Sequence, residues 1–290
     1  MDSAKIQLTG LKAHHFRHPL DLQATQALQS IPGLDIMVRS LLGGVGEQFF
    51  QLENLASGVL VSEKQLPHLH TLLLDACKIL DLEPPQLYVR QNPTPNAYTF
   101  AMRGQKPFVV LHTSLIDLLT PEEIQAVIAH ELGHLKCEHS VYLTLANLLI
   151  LAASTTVLGT IAAQALQERL MEWVRCAEFT CDRAALLVSQ NARTVASVLM
   201  KLSGGSPILA PQLNLDAFLE QARTYEDLST SEMGRLLRQA QTAQLSHPVP
   251  VLRAKEIDRW AASQDYQNLL QKRPILYNRE AKSEGGWRNW

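Results

Sequence analysis

The stretch His130-Glu131-Leu132-Gly133-His134 carries two imidazoles four positions apart and a carboxylate beside the first. On a helix, positions four apart project from one face, about 6 Å apart along the axis. Two imidazoles so placed can converge on one Zn2+ at about 2.0–2.1 Å each. Glu131 is turned about 100° round the helix from His130, too far to be a comfortable third ligand. It is placed instead to take a proton from a water activated by the metal. The chemistry expected is hydrolysis, with one zinc ion per chain. The competing reading is a helix that happens to carry two histidines on its apolar side.

A catalytic zinc needs a third protein ligand and one open position. The metzincin continuation HExxHxxGxxH is excluded, because this chain reads HELGHLKCEHS, with Cys137 in place of Gly and Ser140 in place of His. Downstream, Glu178 and Asp182 stand four apart in AEFTCDRAAL on a second expected helix. Glu178 can complete a His2Glu set. Asp182, one turn on, can accept the ring N–H of a ligand histidine and fix its tautomer. An ordinary polar helix face is the alternative; the apolar flanks Ala177, Phe179 and 184–188 favour the ligand reading.

The elements that must position these groups are mostly helical. Thr120-Pro121-Glu122-Glu123 is a helix start, with Thr as N-cap, Pro at the first position and Glu three residues after the cap. Upstream, residues 1–20 look irregular, and helices are expected over 22–29, 34–56 and 62–81. The last has Leu66, Leu69, Leu73, Ala76 and Leu80 at helical spacing. Between Pro85 and Thr120 the period changes. LYV (87–89), AYTFAM (97–102) and FVVLH (108–112) read as a small sheet with one hairpin. An exposed edge at Ala97, Tyr98 and Thr99 could pair with an extended peptide through backbone hydrogen bonds. A plain hairpin strand is the other possibility. The expected fold class is mostly α with a small β-sheet. The expected units are an N-terminal helical extension over 1–60, one domain over 61–280, and a frayed tail over 281–290.

From 141 to 167 the chain has no charged residue, long enough in principle to cross a bilayer. A single crossing is excluded if the metal reading holds. It would leave His134 and Glu178 on opposite sides, about 30 Å apart. The segment must therefore go out and return, as a hydrophobic helical hairpin. Membrane-surface contact through 141–167 is the expectation, and packing within the protein the alternative.

With these motifs in place, the chain resembles the HtpX and CAAX-prenyl-endopeptidase family of zinc metallopeptidases, a gluzincin group whose second motif has the form ExxxD. The wording of HPLD, LYVRQNPTPNAYT and AHELGHLKC is similar to its cyanobacterial and plastid branch. The likeness runs from about Leu66 to Arg259. It implies a zincin-like domain and endopeptidase activity on polypeptide substrates, with Glu131 as general base. It also implies that His247, in Ser246-His247-Pro248, stabilises the oxyanion, that Arg253 orients Glu178 or a neighbouring carboxylate, and that Asn96 holds substrate backbone. A photosynthetic membrane or plastid-type compartment follows from the likeness only.

A net charge of −2 and no cluster of Lys and Arg give no reason to expect a nucleic-acid partner. Cys77, Cys137, Cys176 and Cys181 form no CxxC pair and are expected as buried thiols, although Cys137, Cys176 and Cys181 lie near the motifs. His68, His70, His112 and His139 are expected at the surface or in caps. The N-terminus has neither a signal-peptide core nor transit-peptide character, which points to the cytoplasmic side or to a targeting segment outside this chain. Two rivals remain: a non-catalytic membrane-associated scaffold or chaperone on the same fold, and a zinc hydrolase with a non-peptide substrate.

Overall fold

Helix formation at the paired histidines begins as the capping residues dictate. In the computed structural model, which describes residues 5–29, 55–101, 106–139, 157–229, 231 and 248–271, Thr120 is the N-cap of a helix over Pro121–Lys136. The amide of Thr120 donates to Glu123 Oε2 at 2.8 Å, and the amide of Glu123 donates back to Thr120 Oγ1 at 3.4 Å. Each bond satisfies a backbone donor that a helix start otherwise leaves unpaired.

The elements used below are α1 (Ala13–Phe16), α2 (Pro19–Gln29), β1 (Val59–Leu60), α3 (Pro67–Leu80), β2 (Gln86–Arg90), β3 (Ala97–Phe100), β4 (Phe108–His112), α4 (Thr113–Leu118), α5 (Pro121–Lys136), α6 (Val157–Ser189), α7 (Ala192–Gly204), α8 (Leu215–Ser229), α9 (Pro250–Ala261) and α10 (Gln264–Gln271). The fold is mostly α with one small sheet, as expected. The sheet order is β1-β2-β4-β3; β2 and β4 run parallel, and β1 and β3 are antiparallel to their neighbours. The expected hairpin is the β3–β4 pair, with Ala97 opposite Leu111.

Several boundaries differ from expectation. The helix expected from Ser62 starts at Pro67, because Leu66 holds φ 58° and Ser62 bridges to Gln65 instead. A residue before proline is disfavoured in the right-handed helical region, which makes this a natural boundary. Strand β1 and helix α4 were not anticipated. The expected helix over 34–56 falls largely outside the described residues, as does the first part of the hairpin at 140–156. Residues 157–167 of the uncharged segment belong to α6, which continues through Glu178 to Ser189. No helix among the described residues is long and apolar enough to cross a membrane.

Helix α5 lies at the centre. Ile124, Ile128, Leu132 and Leu135 are buried in the main core with Leu73, Leu80, Leu111, Leu186 and Leu187. Each such side chain contributes about 1.5–3 kcal/mol when removed from water, so apolar packing holds the helix while its polar residues are left for chemistry. The N-terminal segment joins this core through Leu8, Leu11 and Phe16.

Candidate metal centre

His130 and His134 sit one turn apart on α5, with ring centroids 5.3 Å apart. Helix α6 crosses close behind them at Gly133. A Cβ on that glycine would lie 2.9 Å from Ala184 Cβ and 3.0 Å from Cys181 Cα. This close approach brings Glu178 to the histidines. His130 Nε2 lies 3.3 Å from Glu178 Oε2, and His134 Nε2 lies 3.3 Å from Glu178 Oε1. Glu178 is only 2% exposed.

Asp182, one turn further along α6, places Oδ1 3.1 Å from Nδ1 of His130. Arg253 on α9 grips Asp182 with two bonds, Nε to Oδ2 at 2.8 Å and Nη2 to Oδ1 at 2.7 Å. Its Nη2 is also 3.5 Å from Glu178 Oε2. Burial opposes the ionised form of both carboxylates, but the neighbouring cations win. Arg253 and His130 hold Asp182 below the ordinary aspartate range, and His130 with Arg253 holds Glu178 well below that of glutamate. Burial likewise opposes the charge on His130, yet Glu178 and Asp182 raise its pKa to about 10 in the metal-free site.

The other histidine is supported from the opposite side. His134 Nδ1 is 3.2 Å from His139 Nδ1, and His139 Nε2 is 3.0 Å from Asp21 Oδ2. Asp21 also accepts from Thr180 Oγ1 at 2.6 Å and from Thr25 Oγ1 at 3.0 Å, with Arg17 Nε at 3.7 Å. His139, expected at the surface or in a cap, is 0% exposed, and His112 is the N-cap residue of α4, buried with Nδ1 2.9 Å from Thr94 O. In both cases the partner is remote or irregular in sequence.

Glu131 is buried at the wall of a cleft of about 250 Å3 that Asn96, Ala97, His130, Asp182 and Arg253 also line. Among the described residues, β3 is the terminal strand of the sheet; it lies against α5, with Thr99 Oγ1 donating to the carbonyl of Glu131 at 3.2 Å. Side chains alternate along it: Ala97 packs on the main core, whereas Tyr98 and Phe100 pack with Tyr88, Phe108 and Val110 on the other face. Asn96 is tied by its carbonyl to the amide of His112 at 3.0 Å. His247 lies outside the described residues.

The donor set suits a divalent metal: two imidazole nitrogens face the two oxygens of one buried carboxylate, a ligand chemistry typical of zinc. Single ligand atoms of His130, His134 and Cys181 also lie within 4.8 Å of one another. Cys181 Sγ also lies 3.6 Å from Nδ1 of His139, the nitrogen that faces His134 Nδ1. Burial pushes this thiol well above the ordinary range in the metal-free site. All four cysteines are buried and unbridged.

The family model described as "Peptidase family M48" matches residues 63–261. Among curated proteins, the chain is 58% identical over 263 residues to the Arabidopsis thaliana protein named "Plastoglobule-localized metallopeptidase 48, chloroplastic", covering 90% of this chain and 76% of the relative. It is 31% identical over 170 residues to "Protease HtpX homolog 2" of Methanosarcina mazei, 50% of this chain and 58% of the relative. With "Protease HtpX homolog" of Moorella thermoacetica it shares 29% identity over 171 residues, 50% of this chain and 57% of the relative. No solved structure matches the chain.

Proposed function

The chain belongs to peptidase family M48 and is a metal-dependent protease, and from that premise we propose a zinc endopeptidase in which His130, His134 and Glu178 hold the ion and Glu131 is the general base. The observation that carries the reading is the convergence of His130 Nε2 and His134 Nε2 on the two oxygens of Glu178, each at 3.3 Å. When bound there, zinc acidifies a water and polarises the scissile carbonyl. Glu131 takes a proton from the attacking water and delivers it to the leaving amine nitrogen as the C–N bond breaks. Asp182 and Arg253 orient His130. Asn96 and the backbone of Ala97, Tyr98 and Thr99 align an extended polypeptide along the cleft, consistent with β3 being the terminal strand. His247 donates to the oxygen on which negative charge develops, a role carried by the family likeness alone.

The deciding experiment measures zinc content and casein cleavage for wild type and Glu131→Gln. The expected result is one zinc in each and cleavage reduced about 10^2–10^4-fold in the variant, the range typical for a lost general base. Absence of zinc from both proteins, or full activity in the variant, would overturn the reading. Zinc in both without cleavage by wild type would favour the scaffold alternative.

The uncharged stretch 141–167 and the likeness to a plastoglobule-localized protein support work at a lipid surface in a plastid-type compartment. Co-flotation of the full chain with galactolipid vesicles tests this; a protein that stays at the bottom of the gradient speaks against it.

A further inference from the structure

The two imidazoles of the centre are supported from opposite sides, and only one support lies wholly within the matched region. His130 is backed by Asp182 on α6 and Arg253 on α9, all within 63–261. His134 is backed by His139 and Asp21, and Asp21 sits on α2, before the matched residues begin. We propose that Asp21 and His139 are positioning residues for the metal centre: Asp21 fixes the tautomer of His139, and His139 in turn fixes the tautomer and rotation of His134. This rests on His134 being a metal ligand.

The hydrogen-bond logic runs in one direction. Asp21 is 0% exposed and accepts from two hydroxyls, Thr25 Oγ1 on Oδ1 and Thr180 Oγ1 on Oδ2, with Arg17 nearby. A carboxylate so surrounded is ionised and can only accept. Burial opposes its charge, but the Arg17 guanidinium and the Thr180 hydroxyl favour the ionised form. The proton between Asp21 Oδ2 and His139 Nε2 therefore belongs to His139. A neutral His139 then presents a bare Nδ1, the acceptor facing His134 Nδ1 at 3.2 Å. That contact requires His134 to carry its proton on Nδ1, which leaves the Nε2 lone pair pointing at the Glu178 side, where the ion is held. The Cys181 thiol, 3.6 Å from the same His139 nitrogen, is a longer and weaker competitor for it.

Asp21 is held firmly enough to transmit this. The amide of His18 donates to Thr180 Oγ1 at 3.0 Å, Arg17 Nη2 donates to the carbonyl of Cys137 at 2.6 Å, and Arg183 Nη1 donates to the carbonyls of Phe16 and Arg17 at 3.3 Å each. Segment 16–21 is thus bolted to α6 and to the end of α5. Arg17, Asp21, His139 and His134 repeat on one flank the order that Arg253, Asp182 and His130 show on the other. The segment that precedes the matched region is, on this reading, part of the metal centre.

The test uses the full chain as wild type, Asp21→Asn, Asp21→Glu and Thr25→Val. Zinc affinity is read by competition with a chromophoric chelator, and ligand geometry by the visible absorption of the Co2+-substituted protein. Apo thermal unfolding serves as the measure of structure. Asp21→Asn is expected to weaken zinc binding about 10–100-fold, the usual cost of removing an outer partner of a ligand histidine, and to shift the Co2+ bands. Asp21→Glu should restore part of the affinity, and Thr25→Val, which removes a donor to Asp21 and the acceptor of Trp173 Nε1 but leaves His139 paired, should change both metal readouts less than Asp21→Asn does. Wild-type zinc affinity and Co2+ spectrum in Asp21→Asn, whatever its melting temperature, overturns the proposal. A wild-type chain that takes up no zinc overturns the ligand reading beneath it, which is a separate failure.

Discussion

Asp182 holds Nδ1 of His130 at 3.1 Å, and because Arg253 grips both oxygens of that carboxylate, the ring cannot turn without breaking a buried ion pair. The orientation of the first imidazole is thus set by a residue on a third helix. Replacing Asp182 by Asn removes the charge that Arg253 and His130 share. Zinc affinity is expected to fall about 10–100-fold by chelator competition, and an unchanged affinity would sink the positioning role.

The choice between Glu178 and Cys181 is open to a direct comparison. Glu178→Gln should lose stoichiometric zinc, because it discards the one anionic ligand facing both Nε2 atoms. Cys181→Ala should keep it. Retention in the first and loss in the second would reverse the assignment; elemental analysis after dialysis against metal-free buffer decides.

Gly133 lets the two site helices touch, and any side chain there meets backbone. Gly133→Ala places a methyl group 3.0 Å from Cys181 Cα, which is not a flexible neighbour. Overpacking of this kind costs about 1–3 kcal/mol. A thermal scan of the apo protein should show the melting temperature falling, and peptidase activity should fall with it. Unaltered melting would mean the helices can separate at little cost.

Proton release should accompany metal binding. In the metal-free site the pKa of His130 is raised to about 10 by Glu178 and Asp182 against the opposing effect of burial. A raised folded-state value means the proton is bound at pH 7 and is shed only as pH passes through about 10. An ion taking Nε2 must displace it, so about one proton should leave per zinc at neutral pH, and fewer above pH 10. Calorimetry in two buffers of different ionisation enthalpy reads this number; equal heats in both would show that no proton moves.

What could be read from the sequence was local. The capping box at Thr120, the i, i+4 pair of histidines and the i, i+4 pair Glu178 and Asp182 all follow from helical spacing, and the fold brings the two pairs side by side. Arg253 carried no local signal, and its place came from a family likeness. His139 was misread because what buries it is Asp21, 118 positions away, and no periodicity links α2 to the end of α5. The first twenty residues looked irregular for a similar reason. Leu8, Leu11 and Phe16 are buried without forming a periodic apolar face, so their role appears only once α6 is laid beside them. Short elements such as β1 and α4 offered too few residues for a period to show.

The order in which the centre's parts occur along the chain has a consequence for biosynthesis. A chain emerging from the ribosome presents Asp21 first, then His130 to His139, then Glu178 with Asp182, and Arg253 last. When the second of the paired histidines is added to the chain, the carboxylate facing it is still more than forty residues from being made. Even after α6 is complete, Asp182 lacks its cation until α9 follows. A ribosome-bound or prematurely terminated product therefore holds the peptidase motif without the peptidase. Hydrolytic capacity thus waits on α9, well after the motif itself has been made, which spares neighbouring nascent polypeptides from a half-built protease.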